Sequence, residues 1–239
     1  MTKYITFTNM LGVSDQYKPT PASVSIPDWY KNMDSYQDGK KEPDSKGETK
    51  GTAKKCMPIF DAITNGYIIY TYCDIFVSQR LEYGKSTGKK HPTFTWPSFE
   101  PIKQHPKWQL PIHPQGDGHD LHYPKWHNAW AIKTEPGYSC LFVPPLHRDN
   151  PMIMFPGVVD TDIYTDTVNF PFVLKNPEME GLIPAGTPIA QVIPFKREEW
   201  QMKFGNDKDV EDNKNINKKL RVFFFDSYKK QFRQSKEYR

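Results

Sequence analysis

Gly157-Val158-Val159-Asp160-Thr161-Asp162-Ile163-Tyr164 and, downstream, Ile183-Pro184-Ala185-Gly186-Thr187-Pro188-Ile189-Ala190-Gln191-Val192-Ile193 form the stretch whose reading decides the fold. In the first string, two branched apolar residues follow a glycine and run into Asp160-Thr161-Asp162. Asp favours such a turn by hydrogen-bonding its own local backbone. In the second, Pro184-Ala185-Gly186-Thr187-Pro188 is a turn, and the apolar run to Phe195 has strand composition. Between them, residues 168–174 are extended, with Pro171 favouring an edge or bulge, and residues 176–181 make a loop.

Working outward, Trp130-Ala131-Ile132-Lys133 reads as a strand, Glu135-Pro136-Gly137 as a turn and residues 138–143 as a second strand ended by Pro144-Pro145. Residues 67–77, β-branched and aromatic throughout, predict a central strand or a bent pair. A short helix is expected over residues 55–63, before an Asn65-Gly66 turn, and a single helical turn over 28–33, capped by Asp28. Residues 1–8 suit a strand, residues 35–54 a polar loop, and residues 91–130 resist assignment. The charged stretch 207–219 is expected to break order, and a short helix capped by Asp226 or Ser227 to follow it. Phe225, Tyr228 and Phe232 share a face of that helix by spacing, and with Phe223 they are the expected assembly interface.

Composition narrows the class. The 239 residues contain 22 prolines and 14% aromatics, which suits short strands joined by turns better than a helical bundle. A net charge of +4 is too mild for a nucleic-acid grip. Three dispersed cysteines, Cys56, Cys73 and Cys140, argue for a reducing compartment and against a zinc ribbon. Neither a leader nor a run approaching ~18 apolar residues is visible, so a soluble, unprocessed chain is expected. The organisation expected is mainly β: an irregular extension over 1–129 that wraps or precedes a core over 130–200, then a basic aromatic tail over 201–239 ending in a short helix.

The two quoted strings resemble the third motif of dUTPases and that family's glycine turn followed by an Ile-Ala-Gln strand. Asn176 sits where the family ends a strand in Asn, and Glu135-Pro136-Gly137-Tyr138 resembles the turn before its second motif. The resemblance implies a β-clip core and trimeric association. It also implies that Asp160 orients an attacking water and that Tyr164 packs the deoxyribose; an enzyme of this kind would use Asp160, Tyr164 and Gln191 with magnesium, and Arg148 and Arg197 are the cations close enough in sequence to contact phosphate. Further upstream, Lys55-Cys56-Met57-Pro58-Ile59-Phe60-Asp61-Ala62 and Gly66-Tyr67-Ile68-Ile69 resemble an uncharacterised family encoded by phages and bacteria.

The chemical positions depart from the family pattern. Tyr164 lies one position late because Ile163 intervenes, which on a strand would turn it to the other face. Pro144-Pro145-Leu146-His147-Arg148 lacks the serine of the second motif and displaces its arginine. Pro188 replaces the arginine before Ile-Ala-Gln, and no glycine-rich arm follows. Phosphate chemistry depends on positioned cations and donors, so ordinary dUTPase activity is not expected.

Simpler readings stand beside these. Asp160 and Asp162 serve equally as turn residues, and Gly137, Gly157 and Gly186 as turn glycines. His113, His119 and His122 are weak metal-ligand candidates set among prolines and glycines, more naturally surface-loop residues. Trp96, Trp108, Trp126 and Trp130, interleaved with lysines, suit core packing better than base stacking. The expectation is a non-enzymatic, self-associating structural protein that binds other structural proteins, such as a capsid decoration or cement component of a phage virion. Its place would be the virion or the cytoplasm of the infected host cell. The alternative is a divergent nucleotide pyrophosphatase or deaminase relative.

Overall fold

Runs of branched and aromatic residues cut by proline and glycine give fourteen strands among the described residues, all paired antiparallel. The computed structural model describes residues 2–42, 50–81, 90–97, 100–105, 109, 123–222 and 227–239, without the side chains of 219–222 and 227.

The largest sheet has five strands in the order β11 (Gly157–Val159), β9 (Tyr138–Val143), β14 (Pro188–Lys196), β3 (Tyr67–Tyr70) and β2 (Thr20–Pro21). A four-stranded sheet joins β10 (Met152–Met154), β12 (Phe170–Leu174), β7 (Tyr123–Trp126) and β6 (Ile102–His105). A three-stranded sheet joins β13 (Gly181–Ile183), β4 (Ile75–Leu81) and β5 (Lys90–Thr95). Finally β1 (Ile5–Asn9) pairs with β8 (Trp130–Thr134). Each sheet thus takes strands from both sides of residue 130. One hydrophobic cluster lies between them, with Trp126, Phe142, Phe170, Phe172, Ile183 and Val192 at 0–1% exposure. Burying each such side chain contributes roughly 1.5–3 kcal/mol.

The apolar run over 67–77 divides at Thr71, and its halves join different sheets. Thr71 and Asp74 instead bind the 184–187 turn: Thr71 N–H donates to Thr187 O at 2.8 Å, Gly186 N–H to Thr71 O at 2.8 Å, and Ala185 N–H to an Asp74 carboxylate oxygen at 2.8 Å. Gly66 (φ +70°) immediately precedes β3 where the chain touches β14, and an added Cβ would lie 2.0 Å from Val192 O. Only glycine fits such an approach.

Two helices lie near expectation: α1 (Asp28–Asn32) and α2 (Met57–Thr64). Pro27, not Asp28, is the cap of α1; Asp28 sits in the first turn and pairs with Lys31 at 3.2 Å. Gly157 lies inside β11 rather than in a turn, while Gly137 and Gly186 are turn glycines with φ +84° and +85°.

Residues expected to break order instead form α3 (Asp207–Val222), a 16-residue helix. Its charges favour this. Asp207 and Asp209 stand in the first turn and Lys214 and Lys218 further on, matching the helix dipole. Asn206 Oδ1 accepts from Lys208 N–H (3.0 Å) and Asp209 N–H (3.3 Å), and Asp209 returns an acceptor to Asn206 N–H at 2.8 Å. That reciprocal arrangement is a capping box in function. A short α4 (Ser227–Gln231) follows. Phe223, Phe225 and Asp226 lie outside the described residues, as do His113, His119, His122 and Trp108.

Candidate functional site

Strands β9, β11 and β14 bring the two quoted strings together, because β9 pairs with both of the others. Past the end of β11 the chain turns tightly: Ile163 N–H and Tyr164 N–H both donate to Asp160 O, at 3.0 and 2.8 Å. Asp160 and Tyr164 are therefore related by a helical turn, and strand alternation does not govern their relative facing. The Tyr164 hydroxyl donates to Thr167 O at 3.3 Å.

Arg197, just after β14, reaches this turn. Its Nη1 and Nη2 donate to the two carboxylate oxygens of Asp162 at 2.8 and 2.6 Å, and Nη1 also lies 3.0 Å from Ser139 Oγ and 3.4 Å from Asp160 Oδ1. Ser139 Oγ donates to Asp160 Oδ1 at 2.6 Å, and Gly137 N–H to Asp162 Oδ2 at 2.8 Å. The Asp162 side chain is 7% exposed. The Arg197 hydrogen bonds, joined by that from Gly137 N–H and opposed by desolvation, hold its carboxyl down at about 2. Paired, planar guanidinium–carboxylate contacts are the strong and geometrically specific kind. Beneath them, Thr161 Oγ1 shares a hydrogen bond with Thr134 Oγ1 at 2.8 Å and donates to Cys140 Sγ at 3.3 Å; burial pushes that thiol up to about 11.

The other candidates lie elsewhere. Gln191 faces Val143 at the far end of β9, about 13 Å along the strand from Ser139. It is fully buried, and three hydrogen bonds occupy it: Nε2 donates to Ala62 O (2.9 Å) and Asn65 O (2.6 Å), and Oε1 accepts from Leu146 N–H (2.9 Å). Arg148 lies at the same far end, where its Nη1 donates to Ser25 O and Nη2 to Ser25 Oγ at 3.4 Å. Burial lowers its pKa, opposed by Tyr70. Only Asp160 and Arg197 of the five nucleotide-site candidates converge, and Tyr164 shares their turn.

Arg197 occupies both oxygens of Asp162 and approaches Asp160 Oδ1. Among the described residues, no group of three or more His, Cys, Asp or Glu is placed to hold a metal, and no helix is long and apolar enough to cross a membrane.

Sequence reasoning did not single out Ser139, nor the anchor of the C-terminal segment. There Arg233 Nε and Nη2 donate to Asp61 Oδ1 at 2.9 and 2.7 Å, and Lys236 Nζ to Asp61 Oδ2 at 3.0 Å. Tyr238 packs edge-on against Tyr67 with ring centroids 5.8 Å apart. The expected interface residue Phe232 is partly buried, while Tyr228 is exposed. Trp126 and Trp130 are buried in the core.

No model of a known protein family matches the chain, and no curated protein matches it in sequence.

Proposed function

We propose that this protein is a non-enzymatic, self-associating structural protein built on a β-clip framework. The observation that carries this is the closure of the Asp160 turn on itself. A phosphate-handling site needs cations directed at the ligand. Here the nearest guanidinium, Arg197, is spent on Asp162 through both terminal nitrogens, and Arg148 and Gln191 are engaged by backbone groups at the opposite end of β9. A glycine turn, an Asp turn and an Ile-Ala-Gln strand kept as hairpin parts support a scaffold from which the chemistry has gone. Fold alone does not fix function. The most concrete version, a phage capsid decoration or cement protein associating as trimers, draws on the sequence resemblance.

Incubation of the protein with a panel of deoxynucleoside triphosphates and magnesium tests this reading, with pyrophosphate release measured. The expected result is no release above the protein-free control, for wild type and Asp160→Asn alike. Release by wild type that Asp160→Asn abolishes would establish a divergent nucleotide pyrophosphatase and overturn the reading.

A further inference from the structure

Between two anchored points the chain carries a long exposed stretch. It departs after β14, where Arg197 N–H donates to Gly137 O at 2.9 Å and the guanidinium grips Asp162, and it is held again where Arg233 and Lys236 grip Asp61. Every residue from 195 to 218 is exposed. Within that span Trp200, Met202 and Phe204 are 87%, 86% and 89% exposed. They stand at every second position of a segment with no turn or helix. Apolar residues scattered singly on a surface need no explanation, but three large ones together mark an interaction site.

Helix α3 continues the arm, and its described side chains are exposed too, Val210 at 52% and Ile216 at 40%. Val210, Asn213, Ile216 and Asn217 fall on one stripe at about 100° per residue, which carries a single charge, Asp209, in the first turn. The charges of the helix divide by position. Asp207, Asp209, Glu211 and Asp212 occupy the first half against Lys208 alone; Lys214, Lys218, Lys219 and Arg221 occupy the second, with no acid. A helix with this polarity is complementary to an antiparallel copy of itself and repelled by a parallel one. A solitary helix of about this length is marginal in water without a packed face.

We propose that residues 198–222 form an arm that docks on a second copy of this chain. Helix α3 pairs antiparallel with its counterpart about a two-fold axis, the acidic half of each beside the basic half of the other. Trp200, Met202 and Phe204 are thereby covered by the second copy. Large aromatic side chains bury roughly 150–250 Å² each. Two such side chains from each of two copies supply about 600–1,000 Å², and Met202 and the helices add to it toward the ~1,200 Å² of a stable interface. The inference rests on the self-associating reading above and adds the surface and its symmetry.

Molar masses measured by light scattering on full-length chains test it. One variant carries Asp207→Lys, Glu211→Lys and Asp212→Lys; a second carries Lys214→Glu, Lys218→Glu and Lys219→Glu. Each alone is expected to fall to half the wild-type mass or less, and an equimolar mixture to recover it, because a predominantly basic helix then meets a predominantly acidic one. Recovery on mixing also shows that neither variant merely failed to fold. A variant carrying Trp200→Ser, Met202→Ser and Phe204→Ser is expected to fall likewise. Retention of the wild-type mass by all three variants overturns the arm while leaving self-association intact. Loss of mass without recovery on mixing overturns the antiparallel pairing. A wild-type mass of 27.9 kDa, that of one chain, overturns both the arm and the reading it rests on.

Discussion

Arg197 grips both oxygens of Asp162, at 2.8 and 2.6 Å, and so ties the end of β14 to the turn after β11. The Asp162 carboxyl is held at about 2, below the ~3.9 of a free Asp. A depressed carboxylate stabilises the fold above its unfolded pKa, and that stability is lost as pH falls through the folded one. Urea midpoints of wild type and Asp162→Asn should therefore differ by a constant amount above about pH 4 and converge between about pH 4 and 2. A difference independent of pH down to 2 would show that the ion pair is not what Asp162 contributes.

Gly66 should tolerate no side chain. Its φ of +70° alone costs a non-glycine residue roughly 1–2 kcal/mol, and the Cβ would also strike Val192 O at 2.0 Å. Gly137 offers the matched control, with φ +84° and nothing within 4 Å of a Cβ. Chemical denaturation should show Gly66→Ala losing well over ~2 kcal/mol and Gly137→Ala about 1–2. Equal losses would mean that the β3–β14 approach relaxes freely.

Gln191 should behave as a structural residue. Replacement by Met keeps the bulk but strands two carbonyls and the Leu146 N–H. At about 1–3 kcal/mol for each stranded buried group, a loss of about 3 kcal/mol or more is expected, read from urea unfolding. A Gln191→Met protein as stable as wild type would contradict the hydrogen-bond assignment.

Asp61 should hold the C-terminal segment in place. Burial raises its pKa, but the hydrogen bonds from Arg233 and Lys236 outweigh that and leave the carboxyl lowered. Asp61→Ala should make Lys229, Lys230 and Arg233 several-fold more sensitive to trypsin than in wild type, as detached segments are. Unchanged cleavage rates would show that the Tyr238–Tyr67 contact suffices.

Local chemistry made part of this fold legible. The Glu135-Pro136-Gly137 turn, strands β9 and β14 and the Asp160 turn are each fixed by residues within a few positions, and the structure has them. The break at Thr71 was not decided by its own residues, because the groups that bind Thr71 and Asp74 come from residues 184–187. Helix α3 was obscured by its many charges, whose order along the chain, acids first, was the readable signal. Within the site, the turn role of Asp160 was legible. The engagement of Gln191 and Arg148 was not, since their partners are largely backbone groups of residues 25, 62, 65 and 146.

Sedimentation equilibrium of the wild-type chain over a range of micromolar concentrations tests the central claim most directly. Self-association through paired arms predicts an even multiple of 27.9 kDa, whatever unit the β core itself forms. A mass of 27.9 kDa at every concentration would contradict it.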